Sequence, residues 1–236
     1  MKTSTIDYRD GAVNLRGFLA YDERTSGKRP GVLVMPEAFG LGDHAKQRAE
    51  RLAELGYVAL AGDPYGEGFL AKDLQEAMGV AMPLRDDPPR FRQRARAALE
   101  TLAALPQVDA SRLAMIGYCM GGSFSLELAR DGAPLKGVVS FHGALETKRP
   151  AQAGQVKAKV LVCHGADDPL VPPAAVTAFT EEMTQAGADW QLIMYGGTVH
   201  SFTNPAAGGM PGLAYNASSD KRSWQAMRDF FDEIFA

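Results

Sequence analysis

Six short runs of nearly uninterrupted apolar residues recur along the chain: Gly31–Met35, Tyr57–Ala61, Leu113–Ile116, Gly137–Phe141, Lys159–Cys163 and Gln191–Tyr195. A strand with no polar face has to be covered on both sides, so these runs belong to the interior of a sheet and not to a hairpin on the surface. Stretches with helical spacing alternate with them, at Asp43–Leu55, Pro89–Leu105, Ser123–Arg130, Ala174–Ala186 and Lys221–Phe235. That alternation predicts an α/β fold, a mostly parallel sheet flanked by helices. The segment Asn14 to Tyr21 supplies an antiparallel hairpin at one edge, which brings the sheet to about eight strands. On the last helix Trp224, Met227, Phe231 and Ile234 share one stripe, the pattern of a helix packed on a core.

No internal repeat, low-complexity tract or polar linker interrupts the 236 residues, so one domain over 1–236 is expected. A net charge of −3 gives no positive field for phosphate backbones or anionic lipid, which argues against nucleic acid as a partner. Arg90, Arg92, Arg94 and Arg96 form the one basic cluster, read as a solvated helix surface. No apolar stretch approaches the roughly 18 residues that cross a bilayer, and Met1–Asp7 lacks the apolar core of a secretory signal. No membrane partner and a cytoplasmic location are therefore expected. The two cysteines, Cys119 and Cys163, stand in unlike contexts, which suits free thiols better than a disulfide.

Gly117-Tyr118-Cys119-Met120-Gly121-Gly122 follows an apolar run directly and opens a helical one. This is G-x-C-x-G, a sharp strand-to-helix turn with sulfur at its apex. Residue 119 there takes a strained backbone, and positions 117 and 121 have no room for side chains. The helix N-terminus favours a thiolate at Cys119, a candidate nucleophile, whereas Cys163 ends a β-run with no such turn and is read as core. Such a turn requires an acid and then a histidine in later loops. The loop His164-Gly165-Ala166-Asp167-Asp168-Pro169 offers two carboxylates. Asp168 is the better acid because Pro169 and Val171-Pro172 restrain the chain after it, and Asp167 is left to cap the turn or the following helix. His200, in Gly196-Gly197-Thr198-Val199-His200, is the base. His142 and His164 both end β-runs and are rivals for that role, with hydrogen bonding at strand ends as their alternative. His44, at the start of a helix, is placed on the surface. No histidine has metal-ligand spacing, so neither metal nor cofactor is expected.

A tetrahedral intermediate needs two donors on its oxygen, expected here from the backbone N–H groups of Met120 and Ala38. Ala38 lies in Pro36-Glu37-Ala38-Phe39-Gly40, where Glu37 is unusual, because a carboxylate beside a thiolate is unfavourable unless it holds a proton, a cation or the resting thiol.

Glu37 with Phe39-Gly40, Asp63-Pro64-Tyr65, the Cys119 turn, Asp168 with Val171-Pro172, and His200-Ser201-Phe202 together resemble the dienelactone hydrolase family over nearly the whole chain. The resemblance implies an α/β-hydrolase fold, a Cys119-His200-Asp168 triad acting on a small ester or lactone, and a role for Glu37 in holding the resting thiol. Phe39, Tyr65 and Phe202 would make an apolar, aromatic pocket. Members acting on dienelactone carry an arginine four residues after the histidine, and here that position is Asn204, which favours a neutral or differently charged substrate. The assembly expected is a monomer or small homo-oligomer. The competing reading is a non-catalytic small-molecule-binding protein on the same fold.

Overall fold

The computed structural model describes all residues from Met1 to Ala236. Its elements are β1 (Lys2–Asp10), β2 (Val13–Tyr21), β3 (Arg29–Met35), α1 (Asp43–Glu54), β4 (Val58–Ala61), α2 (Leu74–Arg85), α3 (Pro88–Ala103), β5 (Val108–Tyr118), α4 (Met120–Arg130), β6 (Gly137–Phe141), β7 (Lys159–Gly165), α5 (Pro173–Gln185), β8 (Trp190–Tyr195) and α6 (Ala217–Ile234). The strands follow the order β1-β2-β4-β3-β5-β6-β7-β8. β1 and β2 form the antiparallel hairpin, and β2 pairs antiparallel with β4. Parallel registers run Gly31↔Val58 between β3 and β4, Gly137↔Lys159 between β6 and β7, and Val160↔Trp190 between β7 and β8. Parallel neighbours need long crossovers, which is where the helices lie. No helix is long and apolar enough to cross a membrane.

The chain divides into two compact units, Met1–Ile116 and Gly117–Ala236. In the first, α1 packs on β2, β3 and β4, and α3 packs on β1, β3 and β4. One expectation fails here, and one element is unforeseen. Arg92 and Arg94 are buried, not solvated. Arg94 Nε donates to Asp10 Oδ2 at 2.8 Å and its Nη1 to the Pro64 carbonyl at 2.9 Å, so a carboxylate from β1 neutralises it inside the unit. Helix α2, unrecognised in the sequence, buries only Ala77, Ala81 and Leu84 and carries Gly79 and Pro83, so its periodic signal is weak.

The second unit bears out the fully buried reading of β6 and of nearly all of β7. α6 covers β6 and β7, burying Trp224, Met227, Phe230 and Phe231. Arg130, 1 % exposed at the end of α4, closes the unit from within. Its Nε and Nη2 grip Glu182 on α5 at 2.9 and 2.8 Å, Nη1 reaches Glu127 at 3.1 Å, and Nη2 also donates to the Leu145 carbonyl at 2.6 Å. The elbow helix, α5 and the loop after β6 are thereby fixed to one planar cation.

Candidate active site

Cys119 sits between β5 and α4 with φ 53° and ψ −115°, a left-handed conformation that side chains rarely adopt. The flanking glycine is a steric necessity, since a Cβ on Gly117 would lie 1.9 Å from the Gly121 carbonyl oxygen. Gly122 is equally confined, its notional Cβ falling 2.5 Å from Ser140 Oγ and 2.9 Å from Gly143 Cα. The turn is anchored by the Cys119 N–H, which points at both the Phe141 carbonyl (3.0 Å) and His142 Nδ1 (3.1 Å). Helix α4 starts at the next residue, so the partly exposed thiol lies at a helix N-terminus.

Asp168 follows β7, buried, and accepts the Leu170 N–H on Oδ1 at 2.9 Å, which leaves Oδ2 aimed at His200. His200 Nδ1 donates to that oxygen at 2.7 Å. The pairing fixes the tautomer and leaves Nε2 as the nitrogen facing outward from the carboxylate. Nε2 is buried and makes no directed hydrogen bond. Burial alone would lower the proton affinity of His200, yet the charge on Cys119, followed by the bond to Asp168, raises its pKa to about 10. The thiol acts on the ring first through its charge, and a smaller hydrogen-bonding contribution from Cys119 follows that of Asp168.

The turn after β7 is capped by Asp168 itself. Asp167 is exposed, and helix α5 has Pro172 at its N-cap with no side-chain cap, so the capping role expected of Asp167 is not filled. Cys163 is fully buried, receives the Tyr195 hydroxyl at 3.8 Å, and has its thiol pushed up to about 12 by burial. Of the rival histidines, His142 engages both ring nitrogens, Nε2 bonding Thr203 Oγ1 at 2.8 Å. His164 is 2 % exposed with an unpartnered Nδ1, and burial lowers its pKa. His142 fills the role of hydrogen bonding at a strand end that is its alternative in the sequence, and what the sequence does not indicate is its partner, the Cys119 N–H of the turn.

In the first unit, Asp63 organises the loop after β4. Its buried carboxylate accepts the backbone N–H groups of Arg16, Tyr65, Gly66 and Gly68 at 3.0, 3.0, 2.8 and 3.0 Å. Tyr65, so held, donates its hydroxyl to the Ala38 carbonyl at 2.6 Å and fixes the backbone beside Glu37. Glu37 Oε1 lies 2.7 Å from His44 Nδ1, a close contact whose geometry falls short of a directed bond. Arg48 Nε donates to His44 Nε2 at 3.1 Å. His44 is thus buried, against the surface position expected of it, because a carboxylate and a guanidinium bracket the ring. Phe39 is 37 % exposed. Phe202 is not a surface-lining residue: it is fully buried, its ring 5.2 Å from His142 and 5.6 Å from Tyr195, so it supports the His200 loop from behind. Asn204 accepts the Ala206 N–H at 3.0 Å, a local turn.

Comparison with known proteins adds three findings. The model of the dienelactone hydrolase family matches residues 15–235. A Bradyrhizobium protein described as a probable 2-oxo-3-(5-oxofuran-2-ylidene)propanoate lactonase is 32% identical over 218 residues, 86% of each chain. Two solved structures are similar throughout. One, titled m3DLH, has a TM-score of 0.95 at 50% identity, covering 100% of this chain and 99% of its own. The other, a dienelactone hydrolase-like promiscuous phosphotriesterase from metagenomic libraries, has a TM-score of 0.94 at 48% identity, covering 99% and 98%.

Proposed function

The chain belongs to the dienelactone hydrolase family, and from that premise we propose that it hydrolyses a small ester or lactone through a thioester on Cys119, with His200 as acid and base and Asp168 as its orienting carboxylate. The fold is an α/β-hydrolase fold, and the chain is a dienelactone hydrolase-like hydrolase. The observation that carries the triad is the 2.7 Å bond between His200 Nδ1 and buried Asp168 on a ring whose pKa a Cys119 charge raises.

In the proposed reaction His200 takes the proton of the Cys119 thiol, and the resulting thiolate attacks the acyl carbon. As the carbon–oxygen bond breaks, the His200 imidazolium gives its Nε2 proton to the departing alkoxide, which in a lactone remains tethered as a hydroxyl. Once sulfur is acylated, the thiolate charge that holds the pKa of His200 up is gone. The imidazole becomes a competent base, takes a proton from water as that water attacks the thioester, and regenerates the ion pair as sulfur leaves. The oxyanion is assigned to the N–H groups of Met120, at the start of α4, and Ala38, whose carbonyl Tyr65 restrains. Glu37 is assigned to the resting thiol, and Phe39, Tyr65 and Asn204 to the substrate side, in a single catalytic domain. Asn204 in place of an arginine points to substrates without the carboxylate of dienelactone.

The test is turnover of a panel of short-chain aryl esters and lactones by wild type, Cys119→Ala, His200→Ala and Cys163→Ala. The reading requires loss in the first two variants and retention in the third; turnover surviving Cys119→Ala contradicts it.

A further inference from the structure

Four non-glycine residues have positive φ: Glu67, Cys119, His142 and Ser201. Three of them surround the proposed chemistry, one being the nucleophile and another the residue after the base. His142 is the third, with φ 41° and no assigned role. Conformations of this kind cost roughly 1–3 kcal/mol each and persist where the surroundings impose them.

His142 is fully buried, and its own N–H is held by the Cys163 carbonyl at 2.9 Å. Its positive φ turns the ring back beneath the nucleophile. Nδ1 lies 3.1 Å from the Cys119 N–H and has to present a lone pair to it. The ring proton is therefore on Nε2, which donates to Thr203 Oγ1 at 2.8 Å. Thr203 is buried and stands three residues beyond His200. The His142 ring packs edge-on to both His200 and Phe202, with centroids 5.2 Å away in each case. One neutral imidazole thus spans from the backbone of residue 119 to the loop that carries residue 200. A leucine or phenylalanine would fill the same space without joining either end.

We infer that His142 is a positioning residue: through Thr203 it couples the nucleophile turn to the base loop and holds the distance between Cys119 and His200. The inference rests on the proposed triad and adds a component to it. If this linkage sets the alignment of sulfur and imidazole, breaking it at the far end lowers the chemical step and leaves substrate binding alone, because Thr203 is buried away from solvent.

The experiment measures kcat and KM on a short-chain alkyl ester for wild type, Thr203→Val, Thr203→Ser, His142→Asn and the His142→Asn/Thr203→Val double variant, with Cys119→Ala as control. Asparagine keeps an acceptor at the position of Nδ1 but does not reach Thr203. Thr203→Val is expected to lower kcat by about 5- to 20-fold, with KM within about 2-fold, the scale of a sub-ångström misalignment. Thr203→Ser, which keeps the hydroxyl, restores it. His142→Asn lowers kcat to the same extent, and adding Thr203→Val to it changes nothing further. Wild-type kcat in Thr203→Val, failure of serine to rescue, or effects that multiply in the double variant would overturn the coupling. Should Thr203→Val not fold, His142→Asn at wild-type kcat overturns it equally. Activity surviving in Cys119→Ala would instead strike the triad reading itself.

Discussion

Replacing Gly117 by alanine puts the strongest steric demand of the site under test. The added Cβ would lie 1.9 Å from the carbonyl oxygen of Gly121 and 2.0 Å from its carbon, both backbone atoms in the first turn of α4. Nonbonded carbons rest about 3.5–4.0 Å apart, so strand and helix have to separate by about 1.5 Å. No flexible side chain is available to absorb the movement, and Cys119, two residues on, already sits at φ 53°. A displacement of about 1 Å at reacting atoms costs roughly 100-fold in rate, so kcat/KM on a small ester is expected to fall at least that far. Overpacking against backbone costs about 3 kcal/mol or more, equivalent to a Tm lower by about 6–12 °C in a chain of this size. Gly79 is the control. It lies exposed in α2 with nothing within 4 Å of its notional Cβ. Gly79→Ala is expected to gain about 0.5–1 kcal/mol, raising Tm by about 1–4 °C at unchanged activity. Wild-type kcat/KM and Tm in Gly117→Ala would refute the reasoning.

Arg130→Met leaves Glu182, Glu127 and the Leu145 carbonyl without their cation, and breaking such a buried network costs about 3–5 kcal/mol; urea unfolding should show it, and a loss under about 1 kcal/mol would contradict it. The His200 pKa of about 10 predicts that kcat/KM for an alkyl ester or lactone falls as pH rises through about 10, because the leaving alkoxide then finds no proton. A p-nitrophenyl ester, whose leaving group needs none, should show no such fall. The same raised pKa means that the contribution of His200 to stability is complete below about pH 6.5 and is lost as pH rises through about 10, measurable as a falling Tm over that window. Asn204→Arg should raise kcat/KM for a carboxylate-bearing lactone relative to a neutral one by about tenfold, the worth of one charge-assisted pair at roughly 1.5 kcal/mol, and an unchanged ratio would reject that role for position 204.

What the sequence discloses is what is local. The apolar runs mark the strands, and Gly137–Phe141 coincides with β6 residue for residue. The turn at Cys119 is legible because its glycines, strand and helix are contiguous, and the restraint after Asp168 is enough to prefer it over Asp167. Partners far apart in the chain are not legible. Arg94 looks like a surface charge until Asp10, at the other end of the first unit, neutralises it. His44 reads as exposed because nothing local announces Glu37 and Arg48 on either side of its ring. β5 begins at Val108, through Asp109, Ser111 and Arg112, a polar stretch whose side chains bond to one another and hide the strand. The φ of 41° that aims His142 at Cys119 is likewise a consequence of packing, with no glycine to signal it.

The most direct measurement of the account is the site of acylation. Wild-type protein quenched with acid within milliseconds of mixing with a short-chain ester, then digested and weighed, should carry the acyl mass on the peptide containing Cys119 and none on that containing Cys163. An acyl group on another residue, or full turnover with no thioester at Cys119 on any timescale, would contradict it.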